Sequence, residues 1–326
     1  MALYARAFWI SAPGSGGIRR IPLPEPGPDD VLIRTVHSGI SRGTESLVFR
    51  GEVPQSQHAL MRAPFQDGEF PGPVKYGYLN VGVVERGPDE LLGRTVFCLY
   101  PHQSAYVVPA SAVVAVPPGV PAARAVLAGT VETAVNALWD AAPLVGDRVT
   151  VIGAGMVGCC VAALATRIPG VEVELVDVVA ERAKVADALG VRFAPPDRAA
   201  GGRDLVFHAS ATGEGLRLAL ELLAREGSVI ELSWYGDREV TLPLGGSFHS
   251  ARLSIRASQV GTVSPARAGS RTFTDRLGLA LRLLADDRFD ALLSGESDFE
   301  DLPEVLAEIA AGHRPGLCHV INYEGA

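Results

Sequence analysis

Six consecutive residues, Gly153-Ala154-Gly155-Met156-Val157-Gly158, have the types and spacing to cradle a pyrophosphate. They follow a short apolar, strand-like run at 149–152 and precede a helical stretch, so each glycine has its own physical job. Gly153 permits a tight turn out of the strand, Gly155 lets the backbone approach the phosphates with no Cβ in the way, and Gly158 lets the helix pack close to the sheet. The phosphates would then meet unpaired N–H groups at the positive end of the helix, with Met156 and Val157 in its first turn. The next apolar run, 171–176, ends in Asp177, about twenty residues past the glycines, where an acid accepts hydrogen bonds from the adenosine ribose hydroxyls. A carboxylate there repels a 2'-phosphate, and no Arg or Lys follows until Arg182, so NAD is the expected cofactor rather than NADP. The plainer alternative is a tight turn followed by a strand that happens to end in an acid.

These residues need a parallel sheet to position them. From Arg148 onward, short apolar runs (149–152, 171–176, 204–210, 228–234) alternate with helical stretches at 156–167, 180–189 and 215–224, which predicts strands joined by right-handed crossovers. A further apolar segment, 253–260, could complete the sheet. The chain before Pro117 has a different texture, rich in Gly, Pro and β-branched residues, with candidate strands at 31–36, 80–84, 94–99 and 105–108. Residues 122–141 are alanine-rich at helical spacing. Past Pro265 come helices at 276–284 and 302–311 and a last strand at 317–322. The expected fold class is therefore α/β plus β: a β-barrel substrate domain at 1–120, a doubly wound parallel-sheet cofactor domain at 121–264, and a tail at 265–326 that returns to the first domain. Only 197–203 reads as a flexible loop.

Other residues carry weaker signals. Trp234 and Tyr235 end an expected strand, where ligands of parallel sheets sit, so they are candidate pocket residues; His249 and Gln259 are weaker candidates of the same kind. His102 lies in an expected loop, where a surface or turn role competes with chemistry. His208, within an apolar run, reads as a satisfied core histidine. The cysteines, Cys98, Cys159, Cys160 and Cys318, form no CxxC pair and are expected as buried, reduced thiols.

The formal net charge of −8 over 326 residues, with no long basic run, disfavours nucleic acid and anionic membranes as partners. No sustained apolar stretch long enough for a membrane span is present. A small-molecule partner and a cytoplasmic location are the expectations, since neither a leader nor a lipid anchor is visible.

The order of domains resembles the medium-chain dehydrogenase/reductase superfamily. The likeness rests on Gly39–Glu45 (GISRGTE), similar to that family's GIC-G-(S/T)-D stretch, on Gly77–Val84 (GYLNVGVV), similar to its GHExxGxV, and on GDRVTVIGAGMVG with Asp177 beyond it. The resemblance implies a GroES-like substrate domain, a Rossmann cofactor domain, a cofactor between them, and a homodimer. In the zinc enzymes of the superfamily three side chains hold the metal; the matching positions here are Ser41, Tyr78 and Gly129. Zinc needs thiolate, imidazole or carboxylate donors, and a catalytic site needs three, so no zinc is expected. A side chain must then exchange the proton that accompanies hydride transfer. Tyr78 stands where the family has its histidine ligand and is the first candidate, with Lys75 or Arg42 as a cation to lower its pKa. Glu45 and His102 are the other candidates, Ser41 and Arg42 would line the pocket, and Thr133 matches a family position beside the nicotinamide.

SGISRGTE also resembles the bacteriochlorophyllide dehydrogenases, which oxidise a secondary alcohol. The expected function is zinc-independent, NAD(H)-dependent interconversion of an alcohol and a carbonyl. A reductase of activated C=C bonds and a non-catalytic NAD-binding subunit are the alternatives.

Overall fold

A computed structural model describes residues 3–324, and the chain divides into two units. One runs from the N-terminus to Gly129 and takes in Leu281–Ala285 and the chain from Leu293 onward; the other is Thr130–Ala280 with Asp286–Leu292.

The first unit holds strands β1 (Tyr4–Ala12), β2 (Ser15–Pro22), β3 (Asp30–Ile40), the two-residue β4 (Asp67–Gly68) and β5 (Val74–Lys75), β6 (Asn80–Arg86), β7 (Thr95–Cys98), β8 (Ala105–Pro109) and β9 (Val113–Ala115), with helices α1 (Arg42–Arg50) and α2 (Ala122–Ala125). After α3 (Ala128–Ala141) the second unit alternates β10 (Arg148–Ile152), α4 (Met156–Ala165), β11 (Glu172–Val176), α5 (Arg182–Ala188), β12 (Arg192–Ala194), β13 (Arg203–His208), α6 (Gly213–Leu222), β14 (Leu223–Glu231), the short α7 (Ser247–Ser250), β15 (Ser254–Ala257) and α8 (Phe273–Leu283). The chain ends with β16 (Leu293–Asp298), α9 (Leu302–Ala310) and β17 (Cys318–Asn322) in the first unit.

In the second unit six strands pair in the order β12-β11-β10-β13-β14-β15, all parallel. This is the doubly wound order in which the chain reverses direction of travel beside β10, and ligands sit at the carboxyl ends near that switch. Its central strands are largely apolar, with Thr150, Glu174 and His208 as buried polar exceptions: Val149, Val151, Leu175, Val206 and Phe207 are fully buried, and each such side chain contributes about 1.5–3 kcal/mol through burial. The first unit has a four-stranded sheet, β2-β1-β5-β4, and a seven-stranded one in which β16-β17-β3-β6-β7-β9 run in order and β8 also pairs with β3. β17 lies antiparallel against β3, His319 opposite Ile40 and Asn322 opposite His37, so the end of the chain is a strand of the N-terminal sheet.

Several expectations change. The helical stretch 122–141 is broken at Val126–Leu127 into α2 and α3, and the helix expected to reach Ala224 stops at Leu222, with β14 beginning at the next residue. Residues 197–203 are not a uniform loop: Pro196–Arg198 form a 3-10 turn, and Arg203 starts β13, buried, with its guanidinium 3.2 Å from Glu174 Oε2. The hairpin β1–β2, the strand β12 and the strand β16 carry no strong signal in the sequence. β2 has no fully buried residue and contains Gly16 and Gly17, and β16 is the polar LSGESD at a sheet edge. Cys98, Cys159, Cys160 and Cys318 are buried, and none is in a disulfide.

Candidate functional site

The glycine loop is built by the end of β10. Gly153 sits at φ +102, which side-chain-bearing residues rarely adopt, and a Cβ there would lie 2.7 Å from the Ser210 amide nitrogen. A Cβ at Gly158 would lie 1.9 Å from the Gly153 carbonyl oxygen, so α4 can approach the loop this closely only with glycine at that position. At Gly155 the opposite holds: the residue is exposed and nothing lies within 4 Å of where a Cβ would be. Gly155 caps the ten-residue α4 without any side-chain cap on its first amides, an arrangement that suits an anion. Met156 is buried and Val157 half-buried, leaving their backbone as what they offer a ligand.

Asp177 follows β11 directly. Its Oδ2 accepts from the Ala154 amide at 2.6 Å and its Oδ1 from the Val179 amide at 2.8 Å, which ties the acid to the glycine loop in a fixed orientation. Each carboxylate oxygen keeps a further lone pair for a ribose hydroxyl. The residues present fit a dinucleotide.

At the carboxyl ends of β13 and β14 lies a polar group that the sequence showed only in pieces. His208 is fully buried, its Nδ1 2.8 Å from Glu231 Oε2 and its Nε2 2.7 Å from Ser210 Oγ. Tyr235 is half-buried; its hydroxyl donates to Glu231 Oε2 at 3.0 Å and its ring stacks on His208 at 6.4 Å between centroids. Burial, reinforced by Glu231, holds the Tyr235 hydroxyl well above the usual tyrosine range. Trp234 and, on α3, Thr133 are half-buried; His249 and Gln259 are exposed, and Gln259 Oε1 accepts from the Gly261 amide at 2.6 Å.

In the first unit a second group is assembled from distant segments. Tyr78 donates its hydroxyl proton to Ser41 Oγ at 2.5 Å. The Ser41 amide, at the start of α1, donates to Glu45 Oε1 at 2.7 Å, and Glu45 Oε2 lies 2.8 Å from His102 Nε2. His102 Nδ1 lies 2.6 Å from Ser38 Oγ, which in turn lies 2.9 Å from the Tyr323 hydroxyl. The glycine of the GY pair is required here: Gly77 has φ +127, and a Cβ on it would stand 2.9 Å from the His102 ring. Gly129 packs as tightly, a Cβ there falling 2.6 Å from Leu79.

Two expectations are corrected. His102 lies in a loop as expected but is 1% exposed and bonded on both ring nitrogens, so it is not a surface residue. Glu45, 2% exposed, and His102 hold each other and the start of α1. The cations do not activate Tyr78: burial pushes its hydroxyl up to about 12, against the opposing contacts from Ser41 and Thr44. Lys75 is itself buried, its amine lowered by that burial, and it donates to Gln103 Oε1 at 2.9 Å above the Tyr100 ring, while Arg42 donates to the Arg314 carbonyl at 2.5 Å. Ser38 and Tyr323 are partners the sequence reading missed: Ser38 opens the SGISRGTE stretch but was given no role there, and Tyr323 belongs to no motif.

The donor chemistry does not suit a metal. Ser41 and Tyr78 are hydroxyls bonded to each other, Gly129 has no side chain, and among the described residues no three His, Cys, Asp or Glu gather as a ligand set.

No family model matches the chain. It is 28% identical over 274 residues to 2-desacetyl-2-hydroxyethyl bacteriochlorophyllide A dehydrogenase of Cereibacter sphaeroides, covering 77% of this chain and 80% of that one. Its fold is that of L-idonate 5-dehydrogenase from Escherichia coli, with a TM-score of 0.81 at 17% identity over 99% of both chains. It is also that of a zinc-binding dehydrogenase from Sinorhizobium meliloti bound to NADP, with a TM-score of 0.78 at 17% identity over 98% of this chain and 100% of that one. The chain thus has the GroES-like and Rossmann architecture of the zinc-type alcohol dehydrogenase fold and is similar in sequence to a dehydrogenase.

Proposed function

We propose that this protein is an NAD(H)-dependent oxidoreductase that interconverts a secondary alcohol and a carbonyl on a small to mid-sized organic molecule, without zinc. The observation that carries the reading is the Tyr78–Ser41 hydrogen bond of 2.5 Å at the two positions where the zinc enzymes place metal ligands. The dehydrogenase relatives support the oxidoreductase class, and the bacteriochlorophyllide enzyme supports an alcohol or carbonyl as the reacting group.

A bound nicotinamide dinucleotide would supply or accept the hydride. Gly153, Gly155 and Gly158 and the first turn of α4 would hold its pyrophosphate and Asp177 its adenosine ribose. The anchored carboxylate supports NAD over NADP, because a 2'-phosphate beside it would meet like charge. In the direction of reduction, Tyr78 gives its proton to the oxygen of the carbonyl as hydride reaches the carbon, and regains a proton through the half-buried Ser41 hydroxyl. In the direction of oxidation Tyr78 first passes its own proton out through Ser41 and then, as the phenolate, takes the proton from the alcohol. Glu45 and His102 orient this pair by fixing the Ser41 backbone.

Edge strand β15, exposed at Ser254, Arg256 and Ala257, supports a homodimer joined there, and four buried thiols outside any disulfide support a reducing compartment such as the cytoplasm.

The test is a panel of secondary alcohols, ketones and enones assayed with NAD(H) and NADP(H), before and after exhaustive chelation. Alcohol or ketone turnover with NAD(H) that survives chelation is expected. Turnover lost on chelation and restored by zinc, or confined to enones with NADPH, contradicts the reading.

A further inference from the structure

The bulkiest side chain sealed from solvent among the described residues is not apolar: it is Arg276 of α8, 1% exposed. Its Nε donates to Glu132 Oε1 at 3.0 Å, one terminal nitrogen to Asn136 Oδ1 at 2.5 Å and to the Thr262 carbonyl at 3.2 Å, and the other to the Val260 carbonyl at 2.6 Å. A buried ion pair of this kind adds little net stability over apolar packing of the same shape. What its rigid fork does supply is geometry.

The geometry concerns one segment. Glu132, Asn136 and Asp140 recur every four residues and so share one face of α3, and they are 3%, 1% and 9% exposed. Asp140 accepts from Ser258 Oγ at 2.6 Å and from Arg256 at 3.1 Å. Asn136 receives the Ser264 amide at 3.0 Å and reaches the Gln259 carbonyl at 3.4 Å, while Arg276, itself held by Glu132, takes the carbonyls of 260 and 262. The chain from 256 to 264 is thus pinned along its length, with its carbonyls drawn toward α3 while Gln259, Gly261 and Thr262 stay exposed.

This segment leaves the carboxyl end of β15. With Asp177 after β11 and the glycine loop after β10, a dinucleotide held by both continues toward the ends of β13, β14 and β15, so its nicotinamide half travels toward 258–264. We propose that Arg276, braced by Glu132 and Asn136, is a positioning residue that sets the 258–264 segment as a preformed contact for the nicotinamide half of the cofactor. The proposal rests on the dinucleotide reading given above.

The test measures NADH and AMP binding side by side, by NADH fluorescence and by calorimetry, because AMP reaches only the Asp177 side. Arg276→Ala is expected to weaken NADH about tenfold, as one lost contact of ordinary strength would, while AMP binding stays within twofold and a few millimolar guanidinium restores part of the loss. Asn136→Ala, which cuts the segment's own bonds and leaves the Arg276–Glu132 pair in place, is expected to act in the same sense and decides the matter if Arg276→Ala does not fold. Equal loss of NADH and AMP in a cooperatively folded variant, or no loss of either, overturns the proposal. Wild-type protein that binds neither NADH nor AMP overturns the dinucleotide reading itself, and this inference with it.

Discussion

The glycine loop and its acid draw their residues from one stretch between Gly153 and Asp177, whereas the polar group around Tyr78 joins Ser38, Ser41, Glu45, His102 and Tyr323 across separations of up to 285 residues. The first works mainly through backbone: amides at a helix start, glycines where a Cβ would collide, and one acid tied to the loop. The second works through side chains, buried at Ser38, Glu45, His102 and Tyr323 and half-buried at Ser41 and Tyr78, each satisfied by the next. The first kind of site can lose its ligand while the fold stands. In the second, removing a member leaves a partner buried without its hydrogen bond.

That contrast can be broken by experiment. The largest effect is expected in the sealed group. His102→Ala strands the buried Glu45 carboxylate and should cost about 3 kcal/mol of stability, read as a lowered urea midpoint, with NADH binding intact in the folded fraction. A variant as stable as wild type would mean that the pair holds nothing. Gly158→Val should do the reverse, weakening NADH about a hundredfold or more, near 3 kcal/mol, because the new side chain would strike the Gly153 carbonyl; binding within twofold of wild type would remove the loop from the site. Asp177→Asn should narrow the preference for NADH over NADPH by about tenfold, as expected for a hydrogen bond to a charged group, and an unchanged ratio of the two dissociation constants would count against its role at the ribose.

The smallest expected effect is the absence of one. The Tyr78 hydroxyl, raised to about 12 by burial, stays protonated across the neutral range, so single-turnover carbonyl reduction should be level from pH 6 to 9. Oxidation, which needs the deprotonated form, should rise with pH through that window. A fall in reduction above pH 8 would show a tyrosine activated by a cation, the arrangement that the positions of Lys75 and Arg42 suggest in the sequence but the structure does not contain.

The same contrast explains what could be read from residues alone. The glycine loop and its acid were legible because strand, turn, helix and acid follow one another, and every constraint is local. Tyr78 and Ser41 were legible only through resemblance to a motif; their hydrogen bond depends on Gly77 turning at positive φ. The burial of His102 was not legible because a loop in sequence says nothing of it; its partner Ser38 arrives from β3, and Ser38's own partner Tyr323 from near the end of the chain. The hairpin β1–β2 escaped because β2 turns little inward, and β16 because its polar residues pair at an edge. Arg276 opens the helix expected at 276–284, and nothing in that pattern shows that Glu132 and Asn136 close around it.

The most direct test of the central claim, that Tyr78 moves the proton, is Tyr78→Phe measured two ways on the same sample. NADH affinity should stay within twofold of wild type while single-turnover reduction of a ketone substrate falls by about a hundredfold or more, the usual loss for a general acid. Turnover that survives the substitution would contradict the account.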